Sequence, residues 1–63
     1  MAGNVQIAFD LPDHQAAALA QFVKRVGWSQ MRECAVDDDE TREIRDALEH
    51  LRRGLADVGY APR

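Results

Sequence analysis

The stretch that decides the fold is DDETREIRDALEHLRRGLADV, residues 38–58. Ile44, Leu48, Leu51, Leu55 and Val58 recur at steps of four, three, four and three, with Ala47 beside them. That spacing lays one apolar seam along a helix. At 1.5 Å per residue the helix would run about 30 Å. Asp37 and Glu40 have the spacing of a capping box, with Asp37 in the cap role. Opposite charges stand four apart on the other face, in the runs Asp38, Arg42, Asp46 and Arg45, Glu49, Arg53, Asp57. Each such pair adds about 0.2–0.5 kcal/mol to a helix. Gly59 closes the helix, and Leu55 and Tyr60 take the positions whose side chains meet across a Schellman cap. Residues 59–63 are a tail in which Pro62 prevents any resumption.

Upstream, Trp28, Met31 and Ala35 fall near one helical face and Ser29 is a candidate cap, so residues 29–36 read as a short helix or a compact loop. Residues 13–26 read as a second amphipathic helix, with Ala16, Leu19, Ala20, Phe22, Val23 and Val26 on its apolar side. Pro12 and Asp13 suit its first turn, Lys24 and Arg25 its last, and Gly27 a left-handed stop. Residues 5–11 change period: Val5, Ile7, Phe9 and Leu11 alternate with Gln6, Ala8 and Asp10, which predicts a strand ended by Pro12. The expected fold class is mainly α: a single small domain over 1–63, ordered strand, helix, short connector, long helix.

Sixty-three residues leave no room for a two-domain enzyme, and one cysteine forbids an intrachain disulfide. No run approaches the ~20 apolar residues of a membrane span, and the N-terminus lacks a secretory pattern, so a cytoplasmic protein with no membrane partner is expected. A core of this size rarely supplies more than about 3–5 kcal/mol, which makes oligomerisation the natural support. A lone strand also cannot satisfy its own backbone groups. The expectation is a homodimer paired through Val5, Ile7, Phe9 and Leu11; the competing reading lays residues 5–11 as an arm on the helices of a monomer.

The strand running into Leu11-Pro12-Asp13, the following helix and Gly27-Trp28-Ser29 resemble the ribbon-helix-helix family over residues 5 to about 36. That resemblance implies a DNA-binding regulator or antitoxin, with Gln6, Lys24 and Arg25 as the DNA-facing candidates. Ala8 and Asp10 depart from the basic and amide residues such ribbons favour, because alanine offers no polar group and aspartate repels phosphate. A second resemblance covers more of the chain. Ala18-Leu19-Ala20-Gln21-Phe22, Lys24-Arg25 and Gly59-Tyr60-Ala61-Pro62-Arg63 look like a family of small uncharacterised bacterial proteins of plasmids, integrative elements and phages. It implies a mobile-element context and brings no activity.

Site chemistry is sparse. His14, His50, Cys34 and Ser29 share no catalytic spacing, and the ordinary reading of the histidines is solvated surface. Asp37-Asp38-Asp39-Glu40 lacks the glycine turn and alternating ligands of a calcium loop, and a favourably charged helix start explains it. No catalytic residue, metal or cofactor is therefore expected. Seven of the eight basic residues are arginine, but residues 1–36 balance three bases against three acids, so no basic stripe dominates. The excess of −3 comes from residues 37–63, with five bases and eight acids. Trp28 is expected in the core; Tyr60 fits either core or interface.

The leading expectation is a small non-enzymatic module that binds another protein. In its sharpest form it inhibits a host nucleic-acid-processing complex, in the manner of an anti-CRISPR. The acidic surface of Asp37, Asp38, Asp39, Glu40 and Glu43, with Tyr60, would dock on a basic channel. The DNA-binding regulator is the alternative, and a small subunit of a bacterial complex the third.

Overall fold

A computed structural model describes residues 3–60. Three helices follow one another: α1 (Asp13–Arg25), α2 (Trp28–Glu33) and α3 (Asp38–Asp57). Each of the two shorter helices packs on α3, and α1 and α2 do not pack on each other. The mainly helical class expected from the periodicity is what is found. The tail at 61–63, including Pro62, lies outside the described residues.

The expected strand over 5–11 is absent: residues 3–12 carry no regular secondary structure. The reason is the one that made a lone strand suspect. A ladder needs a second strand, and none occurs among the described residues. The arm instead runs along α3, where Ile7 and Phe9 border Leu51 and Gly54. It leaves Val5 84%, Ile7 75% and Phe9 61% exposed.

The first helix is one residue shorter than expected. Pro12 is its cap and its carbonyl accepts from the N–H groups of Gln15 and Ala16. Val26 leaves the helix in an extended conformation, and Gly27 follows at φ −108°, not left-handed. Two extended residues make the corner, so Gly27 is free to cap α2 instead of ending α1. Its N–H donates to Gln30 Oε1 at 2.6 Å, which displaces Ser29 from the expected cap role. The helix thus begins at Trp28 and stops at Glu33, and residues 34–36 form the turn into α3. Trp28 is 40% exposed rather than core, with the Arg45 guanidinium 6.0 Å from its ring centre.

Both caps of α3 follow the sequence. Asp37 accepts from the Glu40 N–H at 2.8 Å, while Glu40 reaches back one residue further than a standard box and accepts from the Val36 N–H at 2.9 Å. At the other end Gly59 takes φ +101°, the Tyr60 N–H donates to the Leu55 carbonyl at 2.8 Å, and the Gly59 N–H to Ala56 at 3.0 Å. That pair of bonds is a Schellman motif, and Tyr60 packs beside Leu55 as it requires.

The core is small. Ala16, Ala20 and Leu55 form its centre, with Leu11, Leu19, Leu51 and Tyr60 packed around them. Alanines on α1 let its backbone come close to Leu55. Met31 and Thr41 are buried where α2 meets α3; the Thr41 hydroxyl satisfies itself on the Asp37 carbonyl at 2.8 Å. Of the expected seam, Leu55 is buried and Ile44, Leu48 and Leu51 are half-buried, but Ala47 and Val58 face solvent.

Asp37→Ala should cost about 1 kcal/mol through the lost cap, whereas Asp37→Asn should be nearly silent because asparagine caps as well. Thermal melts followed by circular dichroism would show the difference. Equal losses in both variants would mean that the carboxylate charge, and not the cap, is what matters.

Candidate functional site

Two surfaces stand out from the packing. The first is the acidic start of α3. Four of its five acids hold intrachain partners: Asp37 and Glu40 cap backbone N–H groups, Asp38 pairs with Arg32 at 2.8 Å, and Asp39 with Arg42 at 2.7 Å. Glu43 alone of the five has no hydrogen bond or ion pair among the described residues. Exposed ion pairs of this kind contribute about 0–1 kcal/mol each, so their main effect is to neutralise. The cluster is therefore less acidic toward a partner than its composition implies. The pairs also differ from the four-apart pattern of the sequence. Arg42 turns back to Asp39, Arg45 meets Asp46 at 3.4 Å, and among the described residues only Arg53, with Glu49 at 3.5 Å, pairs across four residues. Glu49 also accepts from Arg52, and that hydrogen bond holds its carboxyl below the usual 4.5.

The second surface is apolar. Because α1 and α2 lean on α3 separately, an open groove of about 390 Å³ lies between the three helices. Phe22 of α1, Val26 just after it, Met31 of α2 and Ile44 and Leu48 of α3 form walls that are almost wholly apolar. Arg25, Gln30 and Cys34 stand at its edge. Volumes of this order and lining of this kind are typical of binding clefts. The sequence carried a signal for it: Phe22 and Val26 extend the apolar side of α1 beyond what Ala16 and Ala20 bury. A wide stripe on a short helix marks a second contact.

The remaining candidates are dispersed. Gln6 is exposed in the arm, and Lys24 and Arg25 are exposed in the last turn of α1, where cations favour the helix end. His14 and His50 are exposed on different helices, and Cys34 is a free, exposed thiol. No group of three His, Cys, Asp or Glu side chains that could hold a metal ion occurs among the described residues. No helix there is long and apolar enough to cross a membrane.

Tyr60 is tied into the fold at both its backbone and its side chain. Its phenol donates to the Asp13 carboxylate, tying the residue after α3 to the first residue of α1. Ile7, Phe9 and Leu11 border the same hollow as Tyr60, beside Leu51 and Leu55 of α3, and of the run Val5, Ile7, Phe9 and Leu11 it is Leu11 that packs against the core.

A family model matches residues 1–63 throughout, and its description is a family of unknown function, DUF7706. The chain belongs to DUF7706. No curated protein and no solved structure matches it. Membership thus agrees with the resemblance to an uncharacterised family, and it supplies no ligand, partner or mechanism.

The bond to Asp13, aided by desolvation, raises the Tyr60 phenol above its usual 10.0. Tyr60 is the only tyrosine, so absorbance near 295 nm reads its ionisation alone. The folded chain should titrate above pH 10 and Asp13→Asn should bring the midpoint down. A phenol whose folded value is raised stabilises fully below its unfolded value and stops doing so as pH rises through the folded one. An alkaline melt series should therefore show native and Asp13→Asn chains converging at the high-pH end.

Proposed function

We propose that this DUF7706 chain is a small non-enzymatic module that binds another protein, and that it does so through apolar surface. One observation carries the reading. Among the described residues four hydrophobic ones are buried, while Val5, Ile7, Phe9, Phe22, Trp28, Val36 and Val58 are large, apolar and at least 40% exposed. Scattered exposed apolar residues are ordinary, but here Phe22 lines a groove and Val5, Ile7 and Phe9 form a continuous run along α3. Contiguous patches of that kind are covered by partners in working proteins.

The inhibitor reading, in which Asp37, Asp38, Asp39, Glu40 and Glu43 engage a basic nucleic-acid channel, makes a different demand. A partner would have to compete with Arg32, Arg42 and two backbone N–H groups for those acids. Apolar docking disturbs no bond of the fold. DNA binding would draw on Gln6, Lys24 and Arg25, which lie on an arm and a helix end rather than along one stripe.

A photo-crosslinking side chain separates the readings by position. With p-benzoylphenylalanine replacing Phe22 or, separately, Glu43, irradiation in cells should give protein adducts several-fold more abundant from position 22. Adducts confined to position 43 would move the function to the acidic face. Adducts to DNA, or none at either position, would sink the protein-binding reading.

A further inference from the structure

We infer that the groove between the three helices receives an amphipathic helix of the partner protein, and that an Asp or Glu beside its apolar stripe meets Arg25. The inference rests on the protein-binding reading and states what kind of segment the partner presents. Charge comes first. The chain as a whole carries −3, yet no Asp or Glu lines the groove. Arg25 stands at its edge with no ion pair among the described residues. Gln30 stands there too. Its Oε1 is taken by the Gly27 N–H at 2.6 Å, so the amide offers its own N–H donors outward. The edge thus presents donors and one full positive charge. A carboxylate is the group that satisfies both, because a guanidinium fork matches its two oxygens.

The cationic character continues past the groove. Val26, Met31 and Leu48 also border an adjoining hollow, where Arg45 and Arg52 stand with Glu49. That one acid is already engaged by Arg52 and Arg53. An acidic molecule therefore keeps cations around the mouth of its apolar groove. The arrangement favours an acidic guest at this face and disfavours a basic one.

The walls then decide the shape of the guest. Phe22, Met31, Ile44 and Leu48 all belong to helices, whose backbone groups are bonded along the helix itself. An extended segment laid there would set its own N–H and C=O groups against apolar walls that offer them nothing. A helix arrives with those groups satisfied and presents side chains alone, at i, i+3 and i+4. Ile44 and Leu48 are one turn apart on α3, about 6 Å, so two such positions span them. A small amphiphile fits less well. Sites for small ligands bury about 70–90% of the molecule, and this groove is open.

Mapping the cross-link made from position 22 tests this. With p-benzoylphenylalanine replacing Phe22, mass spectrometry of the adducts should place the cross-link in a partner segment of defined pattern. That segment should have apolar residues three and four apart and an Asp or Glu within one turn of them. Arg25→Glu and the milder Arg25→Gln should each lower the adduct yield several-fold, with helical circular dichroism unchanged. Glu43→Gln should leave the yield as it is. A synthetic peptide of the mapped segment should gain helix on binding the full chain and bind Arg25→Glu several-fold more weakly. Changing the peptide's acid to arginine should restore most of that loss. Cross-links in a segment without the pattern, yields indifferent to Arg25, or a peptide that gains no helix overturn the proposal and leave the protein-binding reading standing. Adducts to a second copy of this chain, or of lipid mass, overturn it in favour of those guests. No adduct at position 22 overturns it too, and the protein-binding reading falls with it only if position 43 is also silent.

Discussion

Every tertiary contact between helices passes through α3. The link between α1 and α2 is Val26 and Gly27, both extended, so the chain turns a corner and α2 cannot fold back along α1. Each short helix must then find its apolar contact on the long one. Ala16 and Ala20 meet Leu55 near the C-terminal end of α3, and Met31 meets it near the N-terminal end, where Thr41 is buried. The space left between the two docking points is the groove of Phe22, Val26, Ile44 and Leu48. It is a consequence of the corner. The same arrangement explains why both ends of α3 are bonded so thoroughly. Asp37 fixes its start and is the acceptor for Thr41, while the Gly59 turn delivers Tyr60 onto both Leu55 and Asp13.

Size sets the second constraint. A chain near 60 residues buries only about 60% of the surface it exposes when unfolded. Here the α1–α3 core has only Ala16, Ala20 and Leu55 at its centre. Two of the three are alanines, which bring backbones together but contribute little buried area. Removing Leu55 would take away most of the apolar area at that contact, and about 2–5 kcal/mol is the ordinary cost of such a truncation. That is as much as a core of this size supplies in total. The fold thus has little stability to spare, and the uncovered apolar surface is where a further contribution would come from.

The helices and caps were legible because they are local. The seam from Ile44 to Leu55, the Asp37 cap and the Gly59 turn depend on residues within a few positions of one another, and the periodicity placed α1 and α3 to within a residue. What was not legible depends on distant or missing partners. The strand over 5–11 has the correct alternation but no second strand among the described residues. Gly27 looked like a left-handed stop because glycine often is one; the amide of Gln30 gave it a different task. Trp28 looked like core because it is large, but it opens a helix only six residues long whose buried position is Met31. The acidic run was visible as composition, whereas its partners Arg32 and Arg42 became visible only as geometry. Of the candidate site, the apolar groove had a signal in the width of the α1 stripe, and its existence depended on a corner that no local pattern encodes.

The distribution of bonds also says which surfaces are free to act. Asp37 and Glu40 hold the start of α3, and Asp38 ties α3 to α2 through Arg32, so a partner that captured those carboxylates would loosen the helix that everything rests on. Arg52 and Arg53 are similarly engaged with Glu49. The arm and the groove carry no such duty. Val5, Ile7, Phe9 and Phe22 can be covered or uncovered without breaking a hydrogen bond among the described residues, and covering them removes apolar area from water at about 25 cal/mol per Å². In a chain with so little core, binding at those surfaces and stability of the fold have the same sign: a partner seated there strengthens the helices it touches. Binding at the acids would work against the caps that start α3.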